Sequence, residues 1–89
     1  MASQNEIDDV WEKGKKVKGK DPNLYRMDIN NNLIFKPSYG KNSKMGWEID
    51  HKYPKSLGGS DHLRNKQPLQ TKTNKDKSDN YPYKGNRIP

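Results

Sequence analysis

The stretch Trp47-Glu48-Ile49-Asp50-His51-Lys52-Tyr53-Pro54 organises the reading of the whole chain. Its first five residues alternate apolar and polar side chains with period two, the pattern of a half-buried strand. Pro54 has no N–H to donate and ends the ladder. Leu57 to Asn65 follows as a polar loop centred on Gly58-Gly59-Ser60-Asp61, and Lys66 to Leu69 suits a brief return strand. A carboxylate beside an imidazole at the end of a strand is the first sign of chemistry.

Upstream, Ser3-Gln4-Asn5-Glu6 has the form of a capping box, in which Ser3 caps a helix start and Glu6 returns the bond. Ile7, Val10 and Trp11 then fall at the i, i+3, i+4 spacing of one helix face. Gly14 with Lys15-Lys16 suits the helix end, and Val17 to Pro22 reads as a basic connector. Leu24 to Met27 and Leu33 to Phe35 flank Asp28-Ile29-Asn30-Asn31-Asn32, which predicts a hairpin because Asn and Asp tolerate left-handed turns. Pro37 to Gly46 reads as loop. Downstream, Gln70 to Asn80 contains no apolar residue, so periodicity predicts loop there as well. The tail from Tyr81 to Pro89 is irregular, with tyrosines able to pack back on the domain.

Eighty-nine residues make one domain at most, 1–89. Only 27% are hydrophobic, and the mean hydropathy is -1.45. A large self-sufficient core is thereby excluded, and modest stability is expected. The absence of cysteine removes disulfides and every Cys-based metal site. No apolar run approaches the roughly 18 residues of a membrane span, and the N-terminus lacks a signal-like stretch, so a soluble, cytoplasmic protein with no membrane partner is expected. Eighteen Lys and Arg against 11 Asp and Glu give a net charge of +7, which favours a polyanionic partner, nucleic acid first. Low hydropathy with high charge is also the signature of disorder. Two Trp, five Tyr and clear turn punctuation argue against it.

Taken singly, the polar residues of interest have ordinary readings. Asp50 is a strand-end charge, His51 an ordinary surface or half-buried histidine, Asn65 a turn residue and Asn74 a solvated amide. Together they suit phosphodiester cleavage, which needs a base for water, a cation for the developing charge, and something to hold the base. His51 is the natural base at neutral pH. Asp50 and Asn74 offer hard oxygen ligands suited to Mg²⁺ or Mn²⁺ rather than Zn²⁺. A regular strand points Asp50 and His51 to opposite faces, so one site can use both only at the strand end, where the chain bends toward Pro54.

Asp50-His51, Pro54, Ser56, Gly58-Gly59, Asn65, Asn74 and Lys77, in this order, resemble the HNH endonuclease motif. Fourteen positions separate His51 from Asn65 and nine separate Asn65 from Asn74, spacings similar to those of HNH domains in RNA-guided DNA-cutting effectors. Val10-Trp11-Glu12-Lys13, Tyr25-Arg26 and Tyr39-Gly40 also resemble small standalone HNH proteins of bacteria and phages. The resemblance implies an α+β fold of the small ββα-metal type, with a core motif at about 46–79, an N-terminal helix and hairpin at 3–36, and a tail at 81–89. It implies His51 as general base, Asp50 as first metal ligand, Asn65 as a brace of the loop and base, and Asn74 as second metal ligand where many members carry histidine. It turns Gln70 to Asp79 into a helix, on which Asn74 and Lys77 share a face. Lys52, Lys75 and Lys77 are the candidate phosphate contacts.

Many relatives close this fold with a Cys-based zinc knuckle; here the N-terminal helix and hairpin must close the core. Trp47 and Ile49 are expected to pack under the metal site, His62 matches no motif position and reads as a surface residue, and Glu48 has no role. The function implied is a metal-dependent DNA endonuclease of low intrinsic sequence specificity. It would use one divalent cation, Mg²⁺ first, Mn²⁺ also, Ni²⁺ or Zn²⁺ less so, and contact double-stranded DNA through its backbone. The rival readings are a basic nucleic-acid-binding module with an inert HNH site, and a nuclease toxin or phage-packaging accessory nuclease targeted by a partner protein.

Overall fold

The computed structural model describes residues 2–74. They form an α+β structure with two small antiparallel sheets. The first helix, α1, spans Gln4–Trp11, and Ser3 caps it by accepting the Glu6 N–H at 3.2 Å. Only half of the capping box forms. The Glu6 carboxylate turns away to pair with Lys66 instead of returning the bond. The helix also stops before Gly14, and Lys15–Lys16 form a short strand, β1, where a helix end and connector were expected.

β1 pairs with β2 (Tyr25–Met27), and β2 pairs with β3 (Leu33–Phe35). The hairpin predicted from the Asp28–Asn32 turn is therefore present, and Asn31 takes the left-handed conformation at φ 65° that Asn tolerates. The loop expected at 37–46 begins with a 3-10 turn, Lys36–Ser38. The second sheet is the hairpin of β4 (Trp47–His51) and β5 (Lys66–Gln70), in register from Trp47↔Gln70 to His51↔Lys66. Residues 71–74 are helical, which overturns the loop reading there. Periodicity misses this turn because threonines make its inner face. Thr71 and Thr73 are buried, with their hydroxyls donating to Lys41 O and Gln70 Oε1, each at 3.0 Å. The remaining helix positions to 79, and the tail at 81–89, lie outside the described residues. Among the described residues, no helix is long and apolar enough to cross a membrane.

The core is small, as the composition requires. Val10 and Trp11 from α1, Ile34 from β3 and Trp47 from β4 form one fully buried cluster, with Ile7, Tyr39 and Ile49 packed against it. Helix and first hairpin thus cover one face of the β4–β5 hairpin. Trp47 packs on Trp11 and Tyr39, with ring centroids 5.1 and 5.0 Å away. Trp47 and Ile49 thus pack into the core on the strand face opposite Asp50.

Buried polar groups bind the layers where apolar side chains run out. Arg26, 3% exposed, donates to Glu12 O and Gly14 O and so holds the carbonyl end of α1 against β2. Asp28 is fully buried. Its Oδ1 accepts the N–H groups of Asn30 and Asn32, and its Oδ2 accepts the Gln70 N–H, each at 2.9 Å. One carboxylate thereby joins the first hairpin's turn to the end of β5. Replacing Asp28 with Ala leaves those buried donors unpaired, and is expected to cost about 2–4 kcal/mol. Thermal denaturation would show this as a fall in Tm on the order of 10–20 °C.

Candidate active site

Alternation along β4 sends Trp47, Ile49 and His51 to the core-facing side and Glu48 and Asp50 to the other. Asp50 lies opposite Gln67, whose Nε2 donates to Asp50 Oδ2 at 2.8 Å. Only 3% of Asp50 is exposed. The helical segment 71–74 follows β5 and brings Asn74 to this face, where its Nδ2 donates to Glu48 Oε1 at 2.8 Å. Glu48 and Asp50 are two residues apart on one strand, roughly 7 Å between Cα atoms. Asp50, Glu48 and Asn74 therefore share a face. All three carry oxygen donors, the donor set that hard divalent cations take. Among the described residues, no three His, Cys, Asp or Glu side chains form a cluster able to hold a metal.

His51 occupies the last rung of the ladder, opposite Lys66. Its Nε2 bonds to Asp61 Oδ1 at 2.8 Å. Asp61 also meets Lys66 Nζ at 3.4 Å and Lys55 Nζ at 3.9 Å, and Lys66 pairs in turn with Glu6. The imidazole lines a cleft of about 270 Å³ with Glu6, Tyr39, Asp61 and Lys66. The bond to His51, then the charges of Lys55 and Lys66, hold the Asp61 carboxyl below the usual carboxylate range. The bond to Glu6 raises Lys66 above the usual lysine value. The strand thus keeps Asp50 and His51 on alternate faces, Asp50 paired with Gln67 and His51 with Asp61.

The loop beyond the strand end is tightly tied. Gly58 closes the 3-10 turn Lys55–Leu57 at φ 95°, a conformation that L side chains rarely adopt. Gly59 runs so close to the chain that a Cβ would lie 1.8 Å from Tyr53 O. Asn65 then holds both ends of the loop. Its Oδ1 accepts the Tyr53 N–H at 3.0 Å, its Nδ2 donates to Tyr53 O at 3.1 Å and Ser60 O at 2.6 Å, and its own carbonyl accepts the Lys52 N–H at 2.7 Å. Lys52 is half-exposed directly after His51, while Lys75 and Lys77 lie outside the described residues. His62 is exposed, and its Nδ1 accepts the Arg64 N–H, capping the 3-10 turn Leu63–Asn65. Glu48, Asp61 and Gln67 escaped the sequence reading. Their partners are set by register and by the loop's path, which leave no local pattern.

Two outcomes follow from this geometry. Asn65→Asp keeps the side-chain shape but turns a carboxylate oxygen toward two carbonyls, and should lower stability by about 1–3 kcal/mol in melting experiments. Asp61 has a lowered pKa in the folded state, so its stabilisation is present above its unfolded value, about pH 4. It is lost as pH falls through the lower folded value. Wild type should melt above Asp61→Asn at neutral pH, and the gap should close in acid; a gap constant down to pH 2 would contradict the pairing with His51.

Residues 41–83, just under half of the chain, match the model of the family described as HNH endonuclease. No curated protein and no solved structure gives a match. The matched stretch contains the whole β4–loop–β5 unit, with Asp50-His51 on β4, Asn65 before β5 and Asn74 after it. This segment is similar to the HNH endonuclease family.

Proposed function

We propose that the chain is a metal-dependent endonuclease that hydrolyses DNA phosphodiester bonds with a ββα-metal site. One observation carries the reading. Within a family-matched segment, Asp50 and Asn74 lie on one hairpin face, beside the strand end that carries His51. Asp50 and Asn74 would hold one divalent cation, Mg²⁺ or Mn²⁺, which supplies charge neutralisation at the scissile phosphate and the leaving 3′ oxygen.

His51 takes a proton from the attacking water. A carboxylate such as Asp61 only accepts, so its bond to Nε2 places a proton there and makes Nδ1 the basic atom of the neutral ring. Asn65 braces the loop from Tyr53 to Ser60 and so keeps the strand end, and with it His51, in register. Attack forms a new P–O bond in line with the P–O3′ bond that breaks, leaving a 5′-phosphate and a 3′-hydroxyl. Lys52, with Lys75 and Lys77, meets the phosphates on either side. Contacts of this kind position the duplex and read little sequence.

A second reading is an inert HNH site on a nucleic-acid-binding module. It is favoured by the engagement of His51 with Asp61 on the face opposite Asp50. Nicking of supercoiled plasmid separates the two. The nuclease should cut with Mg²⁺ or Mn²⁺ and stop in EDTA. His51→Ala should bind DNA with near wild-type affinity yet cut at least ~100-fold more slowly, the usual cost of losing a general base. A His51→Ala protein as fast as wild type, once contaminating nuclease is excluded, means that His51 is not the base.

A further inference from the structure

Glu48 is the charged residue on the Asp50 face to which the cleavage mechanism gives no task. It is half-buried on β4, and its Oε1 accepts from Asn74 Nδ2 at 2.8 Å. Asn74 is half-buried as well, on the segment that leaves β5. An asparagine amide has two chemically opposite ends, a carbonyl oxygen and an NH₂ group, and it can present either one after a half-turn about its last torsion. Only the oxygen can bind a cation. The NH₂ end has two positive hydrogens, and facing a metal it would repel it. A histidine at this place would need its ring turned the right way; an asparagine needs its polarity set.

A carboxylate sets that polarity without ambiguity, because it has no proton to give when ionised. Whatever neighbours Glu48 must donate to it, so Asn74 has to turn its NH₂ toward Glu48 and its Oδ1 away. With the amide reversed, two oxygens would confront each other at hydrogen-bond distance. We infer that Glu48 is a positioning residue for the metal site: it orients the Asn74 amide so that Oδ1, and not Nδ2, is offered to the cation.

This inference rests on the assignment of Asn74 as a metal ligand. Groups that act on a metal through its ligand usually change affinity ten- to 100-fold when removed. The role differs from plain attraction of a cation by a nearby negative charge. Attraction needs the charge of Glu48, whereas orientation needs only an acceptor.

Titration of the metal-free protein with Mn²⁺ by calorimetry distinguishes these, with melting curves in EDTA to show that each variant is folded. Asp50→Ala and Asn74→Ala test the ligand assignment, and both should lose Mn²⁺ binding. Glu48→Leu removes the acceptor at similar volume and should weaken Mn²⁺ by about ten- to 100-fold, with the folded state intact. Glu48→Gln carries no charge and can either accept from Asn74 or donate to it, so about half of its population offers Oδ1 outward, and it should bind Mn²⁺ within a few-fold of wild type. Equal losses in Glu48→Gln and Glu48→Leu would overturn the inference in favour of simple charge attraction. Wild-type affinity in Glu48→Leu would overturn it outright. If Asn74→Ala binds Mn²⁺ like wild type, the ligand assignment itself fails, and the inference fails with it.

Discussion

Trp11 and Trp47 meet with ring centroids 5.1 Å apart, and the assembly of this domain depends on that contact. It joins the only long helix of the described residues to the strand that bears the candidate site. Each indole also reaches further. Trp11 Nε1 donates to Pro22 O at 2.9 Å, tying the segment before β2, and Trp47 Nε1 donates to Lys36 O at 3.1 Å, tying the turn after β3. Two aromatic rings thus gather four parts of the chain. Large amphipathic side chains suit this task, because each contributes much apolar area and one fixed donor. In a chain with 27% hydrophobic residues, that economy is necessary.

Where the rings do not reach, carboxylates take over, each fixing donors around it. Asp28 collects backbone N–H groups from the first hairpin's turn and from β5. Asp61 gathers His51 and two lysines at the loop. Glu48 meets the amide of Asn74. An ionised carboxylate accepts and never donates, so each imposes a direction on its neighbours as well as a distance. The same property stabilises the fold at Asp28 and, in our reading, prepares the chemistry at Glu48 and Asp61.

Local patterns made much of this architecture legible. The period-two run of Trp47 to His51 became β4, the apolar pairs around the Asn-rich turn became β2 and β3, and the face of Ile7, Val10 and Trp11 became the packed side of α1. What stayed hidden depends on partners far along the chain. β1 consists of two exposed lysines whose strand character comes only from backbone pairing with β2. The helical segment at 71–74 buries threonines, so no apolar period marks it. At the site, the motif residues could be named from spacing, but Glu48 and Asp61 acquire partners only once the hairpin register and the loop's path exist.

The ion pair between Glu6 and Lys66 spans 60 residues of chain. Lys13 adds a second such link, its Nζ donating to the carbonyls of Leu63 and Lys66. Closing so long a loop costs conformational entropy before any contact repays it, and such non-local closures slow folding. Helix α1 is made before β5 during synthesis and must therefore wait for that strand before its charged partners arrive. Until then the β4 strand has neither its ladder partner nor Gln67 beside Asp50. On the ribosome, the candidate site takes shape only once β5 and residues 71–74 have emerged, so a chain stopped before them lacks the arrangement.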